Sequence, residues 1–216
     1  MFRNPFRNKH SANTLALVTA AFPPELREDV LIVMGRLEVA NTEPHATVQG
    51  PIRVGADSVA IPSRVYFPKA DQSALSGLTP RQSAILAAVM TLHNSGYQRE
   101  LWSVHLCSYP CDWAAPFVAL LLGDYVRDIA AALEAHISEE WALHFHCLLS
   151  ANPELQALLT ARIVNYWGAY YRLLTPNLNF HPPYRVGVRM GVWDKRIAPR
   201  LTIKAEKTVS ASHSCS

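Results

Sequence analysis

Sulfur and imidazole are the side chains in this sequence with the most obvious chemistry. Cys107 and Cys111 stand four apart beside His105, and His144, His146 and Cys147 follow within one later segment. A zinc ion takes four such ligands, or three and an open position. His144 and Cys147, three residues apart, share a helix face, whereas His144 and His146 diverge. Cys107, Cys111, His144 and Cys147 are therefore the set from which a zinc-stabilised domain or a small His/Cys enzyme could be assembled. A nucleophile pair of Cys107 or Cys111 with His93 or His105 would depend on spatial proximity alone. Against these readings, no CxxC knuckle is present, and cysteine commonly serves as a small buried hydrophobe. The chain also has no GxGxxG or Walker loop, no GxSxG elbow and no HExxH. The expectation is a protein without metal, cofactor or catalytic residues.

Charge is the second signal. The net charge of +3 conceals an uneven distribution. Residues 1–10 carry Arg3, Arg7 and Lys9 with no acid, and residues 183–207 carry seven basic side chains against Asp194 and Glu206. The body between them holds ten basic and fifteen acidic residues. A mildly acidic body with two basic ends suits docking on another chain. Arg185, Arg189, Trp193, Lys195, Arg196 and Arg200 are the expected partner-binding residues, with Trp193 as anchor, because tryptophan dominates small interfaces. Nucleic acid is a less favoured partner: the basic residues could neutralise phosphates, but no recognised nucleic-acid motif accompanies them.

Helix signals supply most of the framework for these residues. Pro23-Pro24-Glu25 opens a segment to about Glu38 with Leu26, Val30, Val33 and Leu37 at helical spacing. Residues 41–78 are rich in proline and glycine and form a long ordered connection, with a small β or extended segment near 45–68. Thr79-Pro80-Arg81-Gln82 is a capping box that opens a helix to about Leu92, and His93-Asn94-Ser95-Gly96 ends it, with Gly96 expected at positive φ. A second helix, Tyr97–Cys107, returns antiparallel. Asp112 is expected to cap one long helix over 113–136, and two more start at Ser138 and Asn152. After Pro176 the alternation of Val186, Val188, Met190 and Val192 reads as an extended arm that does not complete the core.

Thr79–Leu106 resembles one helical hairpin of the HEAT or armadillo-like class. The likeness rests on Gly96-Tyr97-Gln98-Arg99-Glu100-Leu101, where a turn is followed by an aromatic residue and an arginine early in the second helix. Related patterns return at Tyr125-Val126-Arg127-Asp128 and Tyr170-Tyr171-Arg172, so the resemblance spans about residues 80–175. It implies stacked helical hairpins that bind other macromolecules, and no catalytic residue. Independently of the family, Arg99 with Glu100, and Arg127 with Asp124 and Asp128, are suited to polar ties between helices.

The expected fold is mainly α, an irregular bundle or short stack of antiparallel helical hairpins. One helical domain covers 1–182, including a basic arm over 1–10, and a basic extended arm and tail cover 183–216. Half the residues are apolar and 17% charged, which excludes general disorder. The longest apolar run in a helix candidate, Ala114–Leu122, is too short to span a bilayer, and Met1–Arg7 does not resemble a secretory signal. A cytoplasmic interaction or scaffold protein follows, with a protein partner that includes a second copy of itself among the options.

Overall fold

The computed structural model describes residues 13–37 and 48–193. They are mainly helical, with one two-stranded antiparallel sheet. Helix α1 (13–19) is followed by a 3-10 turn and α2 (Arg27–Arg36). Strands β1 (Val48–Val54) and β2 (Asp57–Pro62) form a hairpin, with register running from Val48 opposite Pro62 to Val54 opposite Asp57. The remaining helices are α3 (Pro80–Met90), α4 (Gly96–Cys107), α5 (Ala115–Leu122), α6 (Arg127–His136), α7 (Trp141–Ala151), α8 (Pro153–Tyr166) and α9 (Pro182–Arg189).

Helix α5 is apolar all round, α3 is so beyond its first turn, and the two occupy the centre, as such segments must. In α3 every residue from Ala84 to Met90 is buried, and α5 buries Ala115–Ala119 with Leu121 and Leu122. Helices α2 and α4 pack on α3, while α6, α7 and α8 pack on α5. The capping box at the start of α3 is formed: the Gln82 amide donates to Thr79 Oγ1 at 3.2 Å, and Thr79 N–H donates to Gln82 Oε1 at 3.1 Å. Gln82 Nε2 also donates to Asp29 at 2.8 Å, so the cap ties α3 to α2. Leu26, Val30, Val33 and Leu37 are all buried, as their spacing predicts.

Asn152 fastens the hairpin to the bundle. Its Oδ1 accepts from Arg53 N–H at 2.8 Å, and its Nδ2 donates to Arg53 O at 2.9 Å and to Leu148 O at 2.7 Å. After β2, Val65 N–H donates to Leu92 O, which brings the connecting segment against the end of α3.

Several local expectations are corrected. The helix over 113–136 is two helices, broken at Gly123–Val126, and Ala114 rather than Asp112 stands at the start of the first. Gly96 does not have positive φ and is instead the first residue of α4. A Cβ there would lie 3.3 Å from Val126 Cγ2, so the small residue permits close approach rather than a left-handed turn.

The largest correction is at 183–193, expected as an extended arm. Residues Pro182–Arg189 are helical, and α9 packs on α6. Its buried positions, Pro182, Pro183, Tyr184, Val186, Gly187 and Met190, include the helical i, i+3, i+4, i+7 set 183, 186, 187 and 190, which coexists with the alternation in so short a run. Pro182 and Pro183 stand in the first turn, where a missing N–H costs little. The basic residues Lys195, Arg196 and Arg200, with the rest of the tail and the 1–10 arm, lie outside the described residues.

Candidate functional site

The break between α5 and α6 creates the most concentrated polar structure in the fold. Asp124 stands two residues past the end of an apolar helix, so its carboxylate is drawn into the protein with a side chain only 2% exposed. Oδ1 accepts from Arg99 Nη2 and from the Val126 amide, both at 3.0 Å. Oδ2 accepts from Arg99 Nε at 2.9 Å and from Arg64 Nη2 at 2.6 Å. Two oxygens thus accept four hydrogen bonds, which fills the capacity of a carboxylate. Arg99, fully buried, spends Nη1 on the His93 and Asn94 carbonyls, each at 3.0 Å, at the end of α3. The inter-helix tie of Arg99 therefore runs to Asp124, 25 residues away, rather than to the adjacent Glu100.

His93 belongs to the same corner. Its Nδ1 accepts from Ser95 N–H at 2.8 Å, which leaves Nε2–H to donate to the Phe67 carbonyl at 2.8 Å. Burial lowers its pKa, and the Arg99 and Lys69 charges act in the same direction. His93 is thus a neutral structural link rather than a base aimed at a thiol.

A cleft of about 270 Å³ opens over the Asp124 corner. Arg64 and Arg162 supply its positive charge, Asp124 a carboxylate, Tyr125 and Tyr166 aromatic walls, and Ser63 a hydroxyl. The Arg64 side chain is one-third exposed, and burial of the remainder lowers its pKa against the pull of Asp124. Arg162 reaches the cleft past Gly123, whose missing side chain makes room: a Cβ there would lie 2.8 Å from Arg162 Cδ.

A second polar corner lies where α9 begins. His181 is buried, its ring centroid 5.4 Å from that of Tyr171, and its backbone carbonyl accepts from Tyr184 and Arg185 N–H. His181 Nδ1 and Arg127 Nε have no hydrogen-bond partner among the described residues. Burial and then the Arg127 charge push His181 down to about 4.

The sulfur and imidazole set is not brought together. Cys107 is buried, Cys111 half-buried and Cys147 exposed. Among the described residues no group of three or more His, Cys, Asp or Glu is arranged to hold a metal ion. His144 pairs with Asp112 at 2.6 Å. Burial raises the Cys107 and Cys111 thiols to about 12, which opposes thiolate formation.

The expected partner-binding residues of α9 face their own chain. Arg185 pairs with Glu134 at 2.6 Å, and Arg189 donates to the Glu134 and Ile137 carbonyls at the end of α6. Trp193 is 6% exposed, its ring 4.8 Å from that of Tyr184 and tilted 41° to it. Glu100 is half-buried and Asp128 exposed; neither has an ion-pair partner among the described residues. Arg127 contributes its backbone N–H to the Tyr171 hydroxyl at 3.3 Å.

Sequence reasoning missed Arg64, Arg162, Tyr125 and Tyr166 as one cleft. The available signal was an aspartate two residues past the apolar run ending at Leu122, which if buried must find donors.

Apolar surface is concentrated in the segment after α8. Tyr170, Leu173, Leu174 and Phe180 are 64%, 95%, 77% and 64% exposed. The backbone under them is well held: Arg172 N–H donates to Trp167 O at 2.8 Å, Thr175 N–H to Tyr171 O at 2.7 Å, and Trp167 Nε1 to Thr175 O at 2.7 Å. Tyr171 turns inward and donates to the Tyr125 carbonyl at 2.7 Å. No helix among the described residues is long and apolar enough to cross a membrane.

No protein-family model matches the chain, and comparison with curated proteins and with solved structures returns no match.

Proposed function

We propose that the chain is a non-enzymatic interaction or assembly protein whose helical body docks another protein, with a second copy of itself as the first partner to test. The observation that carries this reading is the exposure of four large apolar side chains within residues 170–180, namely Tyr170, Leu173 and Leu174 on a hydrogen-bonded turn and Phe180 in the 3-10 turn that follows. Large apolar side chains grouped on a surface mark interaction sites. Holding their backbone in place reduces the ordering that association would otherwise require. The engaged imidazoles and the raised thiols of Cys107 and Cys111 favour this reading over a His/Cys enzyme. The sequence resemblance of Thr79–Leu106 to a HEAT-like hairpin points the same way.

The test is a paired Leu173→Asp, Leu174→Asp variant of the full chain. Both side chains are mostly in water, so the melting temperature is expected to stay unchanged. Light scattering over a concentration series is expected to show self-association of the native chain and a monomeric variant. A native chain that stays monomeric and cross-links to no protein, or a variant that associates as the native chain does, would overturn the proposal.

A further inference from the structure

The cleft over Asp124 carries charge that the fold itself does not neutralise. Two guanidinium groups, on Arg64 and Arg99, hold the single carboxylate of Asp124, and a third, on Arg162, lines the same cleft. That carboxylate is saturated: Arg99 holds both its oxygens, the Val126 amide takes one further site and Arg64 the last. Arg64 otherwise donates to its neighbour's carbonyl, Ser63 O, at 2.5 Å, and its remaining N–H groups have no further partner among the described residues. Arg162, half-buried on α8, has no ion pair or hydrogen bond among the described residues. The cleft therefore carries a net positive charge, with Arg64 held by its hydrogen bonds and the Arg162 stem packed beside Gly123.

The other walls narrow what such a cleft accepts. Arg99 lies 5.8 Å from the Tyr125 ring centroid, which orients that ring at the cleft edge. Tyr166 forms another wall, and the space is about 270 Å³, enough for a small molecule and far too little for a folded partner. Guanidinium groups match the planar or tetrahedral oxygens of carboxylates and phosphates, and tyrosine faces accept flat rings. We infer that this cleft is a binding site for a small aromatic oxyanion, its carboxylate or phosphate head between Arg64 and Arg162 and its ring against Tyr125 and Tyr166. Binding here is independent of the docking proposed at residues 170–180.

Phenyl phosphate and benzoate are the simplest probes of the two head groups, and phenol is the uncharged control. Calorimetric titration of the full chain is expected to show saturable binding of at least one of the anions, weakening as salt is added, and none of phenol. Whichever anion binds identifies the head group. Arg162→Ala and Arg64→Ala are each expected to weaken that binding about tenfold or more, the effect of losing one charge-assisted contact. Arg27→Ala, at an exposed arginine on α2, is expected to leave it unchanged. Circular dichroism of each variant separates lost binding from lost folding. Failure of both anions to bind saturably, binding of phenol as tight as of the anions, or binding that survives both Arg162→Ala and Arg64→Ala would overturn the inference.

Discussion

The corners around Asp124 and His181 are both polar, both buried and both built where a helix begins or ends, yet they reach opposite solutions. At Asp124 every acceptor site is filled, and the buried Arg99 donates to the carboxylate and to two carbonyls. At His181 the imidazole sits beside an arginine, and both His181 Nδ1 and Arg127 Nε lack partners among the described residues. The first arrangement requires its charges, whereas the second is tolerable only while the imidazole stays neutral. Burial of polar groups is thus not one kind of contribution: its sign depends on whether the partners are complete.

The sharpest way to break the first corner is Asp124→Ala. It leaves the fully buried Arg99 without its counter-ion, and the expected loss is about 3–5 kcal/mol. Chemical denaturation monitored by circular dichroism measures it, and a loss below about 1 kcal/mol would remove the distinction between the corners.

The second corner is expected to show itself in pH. The folded pKa of His181, about 4, lies below the ordinary value of 6.5. Below pH 6.5 the unfolded chain binds a proton that the folded chain refuses, so stability falls as pH drops from about 6.5 to 4. No stability is lost above pH 6.5, and the loss reaches about 3 kcal/mol at the acid end. His93 and His105, whose pKa values are also lowered, act with the same sign. Melting temperatures recorded between pH 7 and pH 4 for the native chain and for His181→Phe give the His181 share. The native chain is expected to lose more, and parallel profiles would show that His181 does not titrate this way.

The smallest expected effect sharpens the comparison from within the Asp124 corner. Arg64→Ala removes a partly exposed partner while Arg99 keeps both carboxylate oxygens engaged. The stability cost is expected to be about 1 kcal/mol or less after solvent screening. A loss matching that of Asp124→Ala would show that Arg64, not Arg99, is the principal counter-ion.

Much of the framework was legible in local sequence, because caps and periodicity act over a few residues. The Thr79–Gln82 box, the buried stripe of α2, the proline-started α8 and the small hairpin were all readable in this way. The segment 182–193 was not, because Val186 and Met190 satisfy both a two-residue and a helical period and only packing against α6 decides between them. The cleft was hidden for a different reason. Asp124 stands just past the end of an apolar run, but its partners are 25 and 60 residues earlier, and nothing local to Arg64 or Arg162 marks them as neighbours.

The Arg99–Asp124 pair also constrains the routes by which this sequence can change. Replacing either residue alone strands the other as a buried charge, at a cost comparable to a large part of a domain's total stability. Replacing both with apolar residues of similar volume need cost little. The two positions are therefore separated from their apolar alternatives by a valley rather than a slope, and single substitutions at either one are dead ends. Arg64, with its partial exposure and dispensable hydrogen bond, is the member of the cluster free to vary first, so ligand preference in the cleft can drift while the knot beneath it stays fixed.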